Sequence, residues 1–367
     1  MKFRNHYFKR EATVNNADTI IIDVNVKDAI SAFIIEYEAT NGATSSLNHE
    51  LHDDITSIEL VDGSNVLWSL DMQQARALNF FETKQLPHEY NNEAAAAVQE
   101  ESCIMHFGRF MDDPDYYINP KRYSNLQLRL THSLTISGTA GFATGTGKVT
   151  VSARLIEEGA GAYKGFLSAK EKVSYTSATS GDKEIDLPRD FPYRLLMLQA
   201  LITGYSHISA LTKHKLSIDA DAYVPFNDYS EDIQASNIAQ FGMCEQSKQM
   251  LITSADASLV DIYAIKKVDV SPLVTLYLDN IITIAGESIT HDAYVIVSGS
   301  SITTATADFA TRADIKGAEP YACLAIPFGR MQEPGDWLKS NNYGDIKLYS
   351  TQAVAAACSV VLQQLHD

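Results

Sequence analysis

Cysteine is scarce in this chain: Cys103, Cys244, Cys323 and Cys358 are the only four in 367 residues, and no two have CxxC spacing. That excludes a zinc ribbon or a thioredoxin-like motif and predicts reduced, buried thiols. No Asn-x-Ser/Thr acceptor occurs, and there are two tryptophans, Trp68 and Trp337. Long apolar runs are missing too. The longest, residues 353–362, is interrupted by Ser359 and falls well short of the ~20 residues a helix needs to cross a bilayer. The first ten residues hold no apolar core of a secretory signal, so none is expected. Basic charge is the remaining deficit. Lys and Arg total 29 against 46 Asp and Glu, a formal net charge of −17. So acidic a surface repels phosphate backbones and argues against sequence-independent nucleic-acid binding by the whole face, and no sequence-specific nucleic-acid partner is expected.

What is present is short and β-like. Residues 19–24, 32–38, 55–60 and 65–70 are strand-length apolar stretches, the last two joined across Asp62 and Gly63 as a hairpin. Residues 125–131 and 148–155 alternate apolar and polar, as half-buried strands do. Helical signals are few: 71–81 with Asp71 as its cap, 232–241, and an alanine-rich stretch at 93–101 that reads as a helix or a loop. The glycine-rich stretch 157–165 is the clearest linker.

The chain repeats itself. Phe107, Gly108 and Arg109 recur as Phe328, Gly329 and Arg330. Pro114 stands three residues before Tyr117 and nine before Tyr123; Pro334 stands three before Trp337 and nine before Tyr343. Leu126, Leu128 and Thr131 then fall on Ile346, Leu348 and Thr351, and Val151 to Leu155 on Val361 to Leu365. Upstream, residues 22–24 and 30–36 correspond to 185–187 and 193–199, Asp71 to Asp232, and Cys103 to Cys323. The second copy carries about forty to fifty extra residues between its helix and its Phe-Gly-Arg strand, too many for an ordinary connection. The expected organisation is a basic arm (1–14), a first domain (15–157), a linker (158–170) and a second domain (171–367) with a β-rich insertion within about 250–317.

Eight strands per copy, with a helix after the fourth, describe a jelly roll. The predicted fold class is all-β: two tandem eight-stranded jelly rolls with short helices. Two such rolls, helices at matching places and an insertion in the second resemble the double jelly-roll major capsid proteins of tailless icosahedral viruses, including membrane-containing bacteriophages. The resemblance implies a structural protein and no enzyme, made in the host cytoplasm and resident in the virion. Its partners would be identical subunits in pseudo-hexameric homotrimers, a vertex (penton) protein and an internal lipid membrane. Alternatives are a glycan-binding or glycan-cleaving double jelly roll, or a minor virion spike.

No residue pattern calls for a cofactor or a metal. The stretch 138–148 fails the phosphate-loop pattern, because Phe142 stands at a required glycine and Val149 at the required Ser/Thr. His49, Glu50, His52, Asp53 and Asp54 are metal-ligand types, but the histidines are three apart and the flanks read as solvated loop. Asp112, Asp113 and Asp115, and likewise Glu333 and Asp336, read as turn chemistry ahead of Ca²⁺ binding. The basic start stands apart. Lys2, Arg4, Lys9 and Arg10 interleave with Phe3, Tyr7 and Phe8, as a frayed terminus or as an inward arm for anionic lipid, genome or a neighbouring subunit.

Overall fold

The computed structural model describes residues 1–42, 49–92, 95–135, 141–202, 206–252, 265–266, 273–275 and 309–367. The first half contains β1 (Lys2–Thr13), β2 (Ala17–Asp23), β3 (Ala29–Thr40), β4 (Ile55–Asp62), β5 (Asn65–Leu70), α1 (Met72–Thr83), β6 (Glu89–Asn92), β7 (Val98–His106), β8 (Leu126–Ser133) and β9 (Lys148–Glu158). The second contains β10 (Phe166–Thr176), β11 (Asp182–Asp186), β12 (Tyr193–Leu201), α2 (His207–Ala210), β13 (Leu211–Ile218), β14 (Tyr223–Tyr229), α3 (Ser230–Phe241), β15 (Cys244–Ile252), β16 (Ile265–Lys266), β17 (Leu273–Thr275), β18 (Phe309–Pro320), β19 (Cys323–Pro327), β20 (Ile346–Gln352) and β21 (Ala357–His366).

Each half folds as two facing four-stranded layers. In the first the orders are β1-β9-β3-β7 and β2-β8-β4-β5; in the second, β10-β21-β12-β19 and β11-β20-β13-β14. These are two jelly rolls of eight strands each. Alternation places the cores. Leu126, Leu128 and Leu130 of β8 are buried while Gln127, Arg129 and Thr131 are partly exposed. β12 breaks the alternation, because Tyr193 to Ala200 are all buried. One of its faces, Leu196 and Leu198, lines the second roll's interior; the other, Leu195 and Met197, belongs to the first roll's core cluster. A strand covered on both sides reads as a continuous apolar run.

Several expectations need correction. The basic arm 1–14 is strand β1, antiparallel to β9, so the first roll starts at Lys2 rather than 15. Cations alternating with aromatics suit an edge strand, with one side to the core and one to solvent; Phe8 and Ala12 pack against the core. The helix therefore follows the fifth strand. The linker is shorter than 158–170: β9 runs to Glu158 and β10 begins at Phe166, pairing with β21 from His366 onward. The stretch 98–101 opens β7 and is no helix. The buried 3₁₀ turn Leu51–Asp54 replaces the expected solvated loop.

Pairing also corrects the repeat in detail. Ile34 opposes Ile104 while Met197 opposes Ala325, so Cys103 matches Leu324, not Cys323. Ile35 opposes Val151 and Leu198 opposes Val360, so the final strand is one residue out of the expected register. Leu60 opposes Trp68 and Leu216 opposes Phe226, which puts Ser230, not Asp232, near the helix start that Met72 occupies.

Most of the insertion lies outside the described residues, as do the strands the sequence suggests at 259–265, 274–278, 281–285 and 293–297, apart from residues 265, 274 and 275. Its base is described. β15 and β18 pair antiparallel from Cys244 with Gly317 to Ile252 with Phe309, and β16 and β17 add to β18.

Candidate assembly interface

The two halves are joined by strand pairing at two places: β6 lies parallel to β15, with Asn91 opposite Lys248, and the rolls themselves meet along a second seam. β5, the edge of the first roll's second layer, lies parallel to β10, the edge of the second roll's first layer, with Ser69 opposite Lys170. The Ser168 hydroxyl donates to the Leu67 carbonyl across it. The chain leaves β5 directly into α1, where Asp71 accepts from the Gln74 N–H at 2.7 Å and closes a capping box. α1 is buried nearly all round, from Gln74 to Phe81 without a break and with the polar Gln74, Arg76 and Asn79 included, and it lies on the outer face of β12, β19 and β21. Gln74 Nε2 donates to Glu171 at 2.6 Å and to Gln199 at 3.3 Å. Phe81 meets Phe241 at 5.2 Å. Glu82 accepts from Arg194 at 3.0 Å and from Gln363 at 2.8 Å.

A buried charged network locks this seat. Arg76 is fully buried, donating to the Tyr321 hydroxyl of the second roll, to Glu89, and to the Ser102 carbonyl at 2.6 Å. The ring of His52 stands edge-on to Tyr321 at 4.9 Å, and His52 Nδ1 lies 3.0 Å from Glu101. Burial opposes charge on His52, but Glu101, Asp53 and Glu50 outweigh it and push its pKa up to about 9. Burial raises Glu89 to about 7 and the Tyr321 hydroxyl well up. Glu50, His52 and Glu101 are of metal-ligand type and lie within 4.8 Å of one another. The cation in this cluster is nonetheless the protein's own: His52 pairs with Glu101, and Arg76 Nε stands 3.6 Å from the same carboxylate.

The repeat residues frame the turns that end the sheets. Phe107 N–H donates to Ser31 O, and Phe328 N–H to Arg194 O, at matching points of β3 and β12. A Cβ on Gly108 would come within 2.5 Å of Asp113 Cβ, and one on Gly329 within 2.6 Å of Asp336 Cβ, so a side chain at either would displace its neighbour. Arg109 grips Asp113 with two bonds, 2.7 and 3.1 Å. Burial works against the Asp113 charge, yet that fork and two backbone N–H groups hold it below the usual carboxylate range. Arg330 grips Asp336 likewise at 2.6 and 3.3 Å, but at the surface. The receiving carboxylate comes from opposite sides of the proline: Asp113 precedes Pro114, Asp336 follows Pro334. Pro114 O accepts from Gly161 N–H, and Pro334 O from Trp337 N–H. Tyr117 and Trp337 are buried. Tyr123 and Tyr343 each close a 3₁₀ turn, donating to Pro120 O and Ser340 O.

Of the four basic positions, Lys2 pairs with Glu158, and Arg4 with Asp28 and Glu157. Lys9 and Arg10 are exposed. Sequence reasoning missed Arg76, Tyr321, Arg194, Glu82 and Gln74. No local signal marked them, since Gln73, Gln74, Arg76 and Asn79 make the helix read as half polar.

No family model matches the chain, and no curated protein matches it. Solved structures do. The major capsid protein of Sulfolobus Turreted Icosahedral Virus superposes with a TM-score of 0.60 at 9% identity, over 100% of this chain and 97% of that one. PBCV-1 VP54 gives 0.58 at 10%, over 99% and 93%. The major capsid protein P2 of Bacteriophage PM2 gives 0.53 at 9%, over 99% and 98%. At such identities the likeness establishes the fold: the chain is a double jelly roll.

Proposed function

We propose that this chain is the major capsid protein of an icosahedral virus, and that it works as a homotrimer. The observation that carries the reading is mutual coverage: two rolls and an insertion account for the whole chain and for nearly all of each capsid protein it resembles. The mechanism is geometric. Two similar rolls per chain, taken three times about a three-fold axis, make six similar walls, and such a block tiles a shell with one gene product. A six-walled block does not fit a five-fold vertex, so a separate vertex protein is a required partner. The insertion belongs to the second roll alone, with the β15–β18 stem at its base, and reduces six-fold likeness to three-fold.

The test is light scattering on protein eluting from a sizing column at micromolar concentration. The chain mass is 40.4 kDa, so the reading expects a particle of about 120 kDa, three copies. A stable monomer contradicts it.

A further inference from the structure

The seam inside one chain has a counterpart at the chain's two open ends. The strand pairings put the two rolls in residue-by-residue correspondence. β5 corresponds to β14, with Trp68 on Phe226 and Ser69 on Asn227, since Leu60 and Leu216 oppose Trp68 and Phe226. β10 corresponds to β1. Glu171 opposes Val361 as Tyr7 opposes Ser152, and both strands then skip one residue, Lys172 and Phe8, at the same register shift. Lys170 therefore corresponds to His6. In the chain β5 and β10 cover one another, whereas β14 and β1 stand at the ends of their sheets.

The surfaces beside these edges correspond as well. α1 is buried on both sides, but α3 buries only Ser230, Ile233, Gln234, Asn237 and Phe241. Glu231, Asp232, Ala235, Ser236 and Ala239 are exposed. The face on which α1 sits, Met197 and Gln199 of β12, corresponds to Ile34 and Glu36 of β3, which are partly exposed. The Gln74 amide donates to Glu171 and Gln199, and Ser359 donates to the same Glu171 oxygen. Their counterparts Tyr7, Glu36 and Thr150 line an open recess of about 240 Å³ with Arg10, Lys148, Glu11, Glu38 and Glu100.

We infer that β14 and α3 of one copy dock on β1 and the outer face of β1-β9-β3-β7 of a second copy, repeating between subunits the seam that β5 and α1 make with β10 within one. This rests on the trimer reading above and names its contact surface. The occupant is a second copy because the seat and the edge it needs are both found on this chain. Charge agrees. β14 and β1 run parallel in this pairing, Asn227 opposite His6, so exposed Asp228, Glu231 and Asp232 reach the level of Tyr7, Lys9 and Arg10. Asp232 takes the place of Gln74, and the Tyr7 hydroxyl, the place of the Glu171 carboxylate; the donor and acceptor are exchanged. Leu78 and Phe81 of the inner seat become Ser236 and Ala239, so the contact between copies is smaller-chained and more polar than the one within the chain. Pro225, on β14, has no N–H to offer an unwanted antiparallel strand.

The test is disulfide trapping with the full chain. Opposed positions on neighbouring strands lie within disulfide reach, and the four native cysteines are buried. The double variant His6→Cys with Asn227→Cys, oxidised, should give covalent dimers and trimers on a non-reducing gel; either single variant should not. Ser69→Cys with Lys170→Cys, the same geometry within one chain, is the control and should close without raising the mass. A trimer by light scattering that shows no His6–Asn227 link, with the control closed, overturns this docking while leaving the trimer intact. A monomer by light scattering overturns both.

Discussion

Asn79 and Asn237 do the same work in the two rolls. Asn79 Nδ2 donates to Ile104 O at 2.5 Å and its Oδ1 accepts from Ile104 N–H at 2.8 Å. Asn237 makes the same pair with Ala325, at 2.6 and 2.8 Å. Each amide mimics a ladder step and fixes a helix to the strand beside it. The spacing is 25 residues in the first roll and 88 in the second, so the insertion adds about sixty residues, more than the sequence alignment suggests.

Removing either amide should be costly. Asn79→Ala or Asn237→Ala leaves a buried carbonyl and a buried N–H without partners, at about 1–3 kcal/mol for each such group. Urea unfolding should show a loss of at least about 2 kcal/mol in each variant. Unchanged midpoints would mean that these bonds hold nothing.

The Arg76 network should respond more strongly. Arg76→Met strands Glu89 and Glu101 in the interior, and breaking a buried pair in this way costs about 3–5 kcal/mol. Tyr321→Phe removes one hydroxyl and should cost about 1–2 kcal/mol. Both should lower the thermal midpoint, in that order; the reverse order would contradict the network.

Glycine substitutions should separate contact from backbone conformation. Gly63→Ala meets nothing within 4 Å, though its φ is +61°, and should cost about 1 kcal/mol. Gly329→Ala has φ +81° and a clash with Asp336, and Gly108→Ala a clash with Asp113 and Tyr116 O. Both should lose more than Gly63→Ala in thermal melts. Equal losses in all three would refute the contacts.

Stability should fall as the pH rises from about 6 to about 9. The folded pKa of His52, about 9, lies above its unfolded value near 6.5. Its contribution is fully present below the unfolded value and disappears as the pH climbs through the folded one. Asp54 and Glu89, raised by burial to about 6 and about 7, act in the same direction at lower pH. His207 and His214, whose Nε2 atoms meet at 3.0 Å, are held down by burial, His207 to about 4. They favour the fold above pH ~6.5 and lose that contribution on acidification. Thermal melts across pH 4–9 check both limbs, and His52→Gln should flatten the alkaline one. A melting point rising from pH 6 to 9 would contradict the assignment.

Sequence served best where one face meets the core. β8 alternates without a break, and residues 22–36 and 185–199 align without a gap because each strand carries its own apolar pattern. It served less well where burial comes from afar. Arg76 and Tyr321 are 245 residues apart, and neither has a local pattern pointing to the other. β1 read as an arm because an edge strand keeps charge on its open side. The final strand slipped by one because Val360 and Val361 both suit a match to Val151; on a strand one step exchanges the faces. Pairing, not composition, resolves that choice.

The central claim is a trimer that presents six walls. Negative-stain electron microscopy of the recombinant protein tests it most directly. Such a trimer should give class averages with a six-lobed outline, three-fold symmetry and, in side view, projections on one face from the β15–β18 stems. Two-lobed particles of a single chain, or two-fold dimers, would contradict it.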